Sequence, residues 1–294
     1  MRDNEAYKKG LAYALLSYGS WGVFPLYWKM LHQVPPQQIL AHRVLWSMLF
    51  LTAVLIWRRD KYLKQYFRSP RKLAMLAATS LLIGTNWFLY IYAVNTNHIV
   101  DASLGYYINP VVNILLGVVF LKEKLSKVQI IAVGFAIAGV SILTWNLGRL
   151  PAISLLLAVN FALYALLRRV ANLQSMPGLT IETLILAPVA IAFLGWVDYQ
   201  GNGAFMHQSR YIDLLLILGG PVTALPLFWF GNAATRVPLS TLGFIQYLSP
   251  TLQLLIGIVV FGETFTTTYM LSFGLVWVGL AIYSYNILRS VRSS

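Results

Sequence analysis

The chain contains no cysteine. That excludes a disulfide framework, a thiolate metal site and a cysteine nucleophile. Charge is scarce at 11% of residues, and carboxylates are scarcer still, with nine Asp and Glu against 22 Lys and Arg. So few charges cannot coat a globule that is 58% hydrophobic. With a mean hydropathy of +0.67, the composition is that of an integral membrane protein. Histidines are few and scattered (His32, His42, His98, His207), with no HExxH pair, and GxSxG elbows and GxxxxGK[ST] loops are missing. This argues against zinc hydrolysis, serine acyl transfer and direct use of ATP. Neither a cofactor nor a metal is expected. Long polar loops are lacking too: the longest candidates, 58–72 and 199–211, are too short for a soluble catalytic domain.

What is present is a net charge of +13. Nucleic acid is excluded as a partner, because most Lys and Arg lie between apolar runs rather than on one basic face. Lys8 and Lys9 before the first apolar run mimic a signal peptide. No small-residue cleavage site follows, so an uncleaved first helix is expected. Taking about 20 residues to cross a hydrocarbon core of about 30 Å, ten spans are predicted: 10–31, 38–57, 73–95, 101–121, 128–146, 150–168, 179–198, 212–234, 240–261 and 267–288. Assigning the loops alternately puts eighteen basic residues on one side, Arg168 and Arg169 among them, and only Arg149 and Arg210 on the other. Both termini are therefore expected in the cytoplasm.

Residues 101–123, DASLGYYINPVVNILLGVVFLKE, recur as 240–263, STLGFIQYLSPTLQLLIGIVVFGE. At a constant offset of 140 residues, Tyr107 falls on Tyr247, Pro110 on Pro250, Gly117 on Gly257, Glu123 on Glu263, Gly134 on Gly274 and Gly139 on Gly279. Such ungapped matching marks an internal duplication. Because ten spans divide into two sets of five, an odd number, the second copy enters the membrane from the opposite side. The expected fold is thus all-α, with inverted five-helix repeats at 1–147 and 148–294 around a central cavity.

Tyr106, Asn109 and Asn113 lie at i, i+3 and i+7, on one helical face. Their counterparts are Gln246, Ser249 and Gln253. Lipid cannot satisfy amides near mid-membrane, so both stripes must face protein or a water-filled cavity. Pro110 and Pro250 are expected to break their helices, freeing the carbonyls of Tyr106 and Gln246 for a ligand. The competing reading is a packing kink with amides bonded to a neighbouring helix. Trp21 in the first span, Tyr164 in the sixth, and Asn86 and Tyr90 in the third complete a candidate wall of aromatics and amides, suited to an amphipathic small molecule.

Ionisable candidates are fewer. Arg43 could clamp a substrate carboxylate, and His42 or its repeat partner Glu182 could carry a proton. Snorkelling or bracing is the alternative so near a helix end. Asp101, and Ser240 with Thr241, suit helix N-caps. Glu123 and Glu263 read as solvated turn residues.

The stretches HRVLWS (42–47), LGYYINPVVNILLGVVFLKE (104–123), ETL (182–184) and STLGFIQYLSPT (240–251) together resemble the RarD subfamily of the drug/metabolite transporter superfamily, whose repeats are EamA-type. The resemblance covers essentially the whole chain. It implies a ten-helix bacterial inner-membrane exporter, secondary active or facilitative, working by alternating access, with lipid around it and a small-molecule substrate inside. The implied cargo is amino-acid-like or amphipathic metabolites, and drugs such as chloramphenicol through the phenotype that gives RarD its name. The alternative is an intramembrane enzyme acting on lipid or lipid-linked substrates. That would need clustered acids, bases or ligands at one depth, and the sequence offers none.

Overall fold

The structure is a computed structural model describing residues 2–59, 66, 68–95, 99–146, 148, 152–260, 262 and 266–292. Among these, every long element is a helix: α1 (Arg2–Lys29), α2 (Pro36–Trp57), α3 (Pro70–Asn95), α4 (Ile99–Leu121), α5 (Lys127–Asn146), α6 (Ala152–Val170), α7 (Ser175–Tyr199), α8 (Arg210–Ala234), α9 (Leu239–Gln246), α10 (Leu248–Val259) and α11 (Thr267–Arg292). Nine stretches of the described residues are long and apolar enough to cross a membrane, with α9 and α10 together forming one, Leu239–Val259. The 28-residue α1 is also long enough to cross, and its N-terminal turns are charged. His98, Arg149 and Glu263 lie outside the described residues, as does the Asp101 side chain.

Helices sharing a solvent of lipid tails gain little from the hydrophobic effect, so small residues and interhelical hydrogen bonds set the contacts. α2 packs on α7 and α8, α4 on α6 and α9, α1 on α8 and α10, and α5 on α11. The α5–α11 contact is reciprocal. A Cβ at Gly139 would lie 2.6 Å from the Ser272 carbonyl, and one at Gly279 would lie 2.7 Å from the Ala132 carbonyl. These pairs exchange under the 140-residue shift, so each glycine admits the other helix's backbone. Ser272 Oγ fastens the seam by donating to the Gly139 carbonyl at 2.6 Å. Gly220 does the same where α8 crosses α2: a Cβ there would lie 2.4 Å from the Trp46 carbonyl carbon. The repeat-related Tyr107 and Tyr247 meet edge to face, with ring centroids 5.7 Å apart.

The two prolines behave differently. Helix α4 passes Pro110 without interruption, which corrects the expected break there. The ninth span does break, at Tyr247, between α9 and α10. Missing one N–H inside a helix costs less where neighbouring helices hold the turn, and α4 is gripped on two sides.

Candidate functional site

A cavity of about 420 Å³ lies in the middle of the bundle. Its walls bring together Trp21 of α1, Arg43 of α2, Asn86 and Tyr90 of α3, Tyr106 and Asn109 of α4, Gln246 at the end of α9, and Ser249, Pro250 and Gln253 of α10. Its lining reaches the α1–α2 turn at His32, Val34 and Pro36, but no described residue of the turns at the opposite end. The cavity is therefore open on one side.

Its floor is a knot of amides between α4 and α9. Gln246 Nε2 donates to Asn109 Oδ1 at 2.5 Å, while Asn113 Nδ2 donates to Asn109 Oδ1 at 3.0 Å and to Gln246 Oε1 at 2.7 Å. Asn109 Nδ2 donates in turn to the Ala158 carbonyl on α6. Such a network, in a low-dielectric interior, ties three helices, α4, α6 and α9, into one surface. Asn113 corrects the wall expected from the sequence: it is fully buried and braces the floor from behind. Higher up, Gln253 Nε2 donates to the Trp21 carbonyl at 3.1 Å, and Asn86 Nδ2 donates to the Leu157 carbonyl at 3.0 Å. Tyr90 and Tyr106 face each other with centroids 5.9 Å apart and remain 38% exposed to the cavity.

Arg43 is held on three sides. Its guanidinium carbon sits 4.7 Å from the Trp28 ring centroid and 5.1 Å from that of Trp87, and Nε donates to Thr223 Oγ1 at 3.0 Å. The flat cation between two indole faces is a cation–π arrangement strengthened by desolvation. Sequence reasoning found Arg43 but missed Thr223. A lone threonine in an apolar span carries no signal until α8 is packed against α2.

Four further expectations are corrected. Tyr164, placed on the wall by its helical spacing, is fully buried instead. It stacks on Phe230, and its hydroxyl donates to Glu182 at 3.2 Å; its neighbour Phe161 lines the cavity. Glu182 lies away from the cavity, locked to Arg168, whose Nη1 contacts both carboxylate oxygens at 2.9 and 3.0 Å. Thr79 Oγ1 adds a third donor at 2.7 Å. Arg168, counted from sequence as a surface charge, is thus wholly buried. His42 is buried outside the cavity lining, its ring 5.2 Å from Phe205, and its Nδ1 has no partner among the described residues.

At the closed end, Glu123 also departs from the expected solvated turn. It accepts from the Leu239 and Ser240 backbone N–H groups at 2.6 and 2.9 Å, and from Ser240 Oγ at 2.6 Å. It therefore caps α9 from 116 residues away in sequence, a favourable place for an anion at orphan N–H groups. Ser240 is not the N-cap itself, since α9 starts one residue earlier. Gly117 makes the approach possible, because a Cβ there would lie 2.7 Å from the Glu123 carboxylate.

The family model of the EamA-like transporter family matches residues 8–145. The uncharacterized transporter YojE of Bacillus subtilis is 44% identical over 98% of this chain and 97% of its own length. Protein RarD of Escherichia coli is 42% identical over 99% and 98%. The chloramphenicol-sensitive protein RarD of Pseudomonas aeruginosa is 30% identical over 91% of each chain. One crystal structure superposes with a TM-score of 0.72 over 94% of this chain and 97% of that one at 16% identity, a likeness of fold. The chain is a multi-pass membrane transporter of the drug/metabolite type and belongs to the EamA-like transporter family, within its RarD subfamily.

Proposed function

We propose that the protein exports small amino-acid-like or amphipathic metabolites across the bacterial inner membrane by alternating access, with both termini in the cytoplasm. The observation that carries this reading is the one-sided cavity: open at the α1–α2 turn, floored by the Asn109–Gln246 knot, and closed beyond by Glu123 on α9. On the charge asymmetry of the loops, that opening faces outward. Two repeats, 1–147 and 148–294, rock about the floor, and the cavity changes sides when the Glu123 cap releases and the amide knot re-forms with new partners. The reciprocal Gly139–Ser272 and Ala132–Gly279 contacts supply the matching surfaces that such rocking needs.

The bundle works as a secondary transporter, its cargo moving down its own electrochemical gradient. Glu182 is committed to Arg168 and His42 stands off the wall, so neither meets the cargo. Drugs of the size and amphipathic character of chloramphenicol, for which one relative is named, fall within the same cavity's range. The test is comparative metabolite profiling of medium and cells with and without the protein. One or more unaltered metabolites should accumulate in the medium when it is present. A chemically altered product formed by purified protein with lipid would replace this reading with the intramembrane enzyme.

A further inference from the structure

We infer that the cargo is an organic anion: a single carboxylate or similar acidic group on an aromatic or apolar body, rather than a zwitterion or a cation. This rests on the transport reading above and narrows its cargo, within the amphipathic metabolites, to those that carry an acidic group and no ammonium.

Three observations carry it. First, Arg43 is the one fixed charge on the cavity wall among the described residues, and no carboxylate lines the cavity there. The described acids nearest in role are committed elsewhere: Glu182 to Arg168, Glu123 to the start of α9, and Asp213 to the Met206 backbone N–H at 2.7 Å. Second, the guanidinium is pre-positioned. Trp28 and Trp87 hold it, Thr223 occupies Nε, and no described residue takes a hydrogen bond from the η nitrogens. Four N–H groups in a planar fork remain, the geometry that pairs with a carboxylate through two parallel bonds. Third, the rest of the wall is aromatic and neutral: Trp21, Phe24 and Phe161 offer surface for a ring, and Tyr90 and Tyr106 offer hydroxyls.

An uncompensated cation in a low-dielectric cavity is costly, and an incoming anion relieves that cost. A cationic ligand would meet Arg43 with no acid to receive its ammonium, and a zwitterion would satisfy only one end. An anion is also driven outward by an inside-negative membrane potential, so its export needs no carboxylate on the wall to carry a proton.

The experiment compares three ligands with one body and different charges: phenylacetate, phenylalanine and phenethylamine. Each is titrated calorimetrically into the purified full-length protein in lipid nanodiscs. Phenylacetate should bind at least tenfold more tightly than the other two. Arg43→Gln should lower phenylacetate affinity at least tenfold and leave phenethylamine unchanged, and Arg43→Lys should fall between. Equal or tighter binding of phenylalanine or phenethylamine to the unmodified protein overturns the proposal, as does a preference retained in Arg43→Gln or no binding by any of the three. The unmodified protein decides the matter even if the variants fail to fold. Because binding is read without flux, anion-selective binding with no transport would remove the transporter reading and leave the charge preference standing.

Discussion

Replacing Glu182 by Gln separates a proton carrier from a structural anchor. The carboxylate is 2% exposed and its Arg168 partner is fully buried. Three donors converge on it: Arg168 Nη1, Thr79 Oγ1 and Tyr164 OH. Gln keeps the shape but has one acceptor oxygen, and its own NH2 faces donors. At least one donor is orphaned, and the Arg168 charge loses its counter-ion. A contact at 2.9 Å corresponds to about 6 kcal/mol of Coulomb attraction at an effective dielectric near 20. Breaking one partner of a buried pair costs roughly 3–5 kcal/mol, which for a chain of this size lowers the melting temperature by on the order of 10 °C. The assay is thermal unfolding of purified protein followed by fluorescence-detected gel filtration. Removing both charges as Arg168→Met with Glu182→Leu should recover most of the loss, since no buried ion is left unpaired. The Glu182→Gln protein that remains folded should transport with an unchanged pH profile. A melting temperature within about 2 °C of the parent, or a double variant as unstable as the single one, would refute the anchor; a lost pH-driven component would restore the carrier role.

Asn109→Leu and Gln246→Leu should each abolish efflux while the protein still inserts and purifies, because each strands buried amide groups at about 1–3 kcal/mol apiece; vesicle efflux assays check this, and normal flux in both would leave the knot a packing device. The cysteine-free chain allows single-site labelling: Phe24→Cys, on the cavity wall, should react with an impermeant maleimide from outside, and Ser126→Cys only from inside. In the Phe24→Cys background, Glu123→Gln weakens the cap on α9 by about 1–2 kcal/mol. That should raise labelling from inside roughly 5- to 30-fold, and unchanged labelling would show that the cap does not hold the closed end.

Much of this molecule is readable from one dimension. Hydropathy over about 20 residues locates the spans, and helices formed at all of them because lipid leaves the backbone no other donors and acceptors. The shared face of Tyr106 and Asn109, and its echo at Gln246 and Ser249, follows from the 3.6-residue period alone. Period says which residues share a face, but not what that face meets. Tyr164 has the spacing of a wall residue and is a core residue, because Glu182 reaches it from the next helix and Phe230 from the one after that. Likewise Arg168 and Glu182 are two ordinary charges until the α6–α7 turn folds them together in a place without water.

Sequence by itself therefore determined the membrane, the helices and the candidate polar faces, all of which depend on local composition and spacing. Tertiary structure decided which amides form the floor, that Glu123 caps the distant helix α9, and that Arg43 stands as the cavity's lone fixed charge among the described residues. Those outcomes depend on which helices lie side by side, and that is settled by glycine-sized gaps and interhelical hydrogen bonds between residues more than a hundred positions apart.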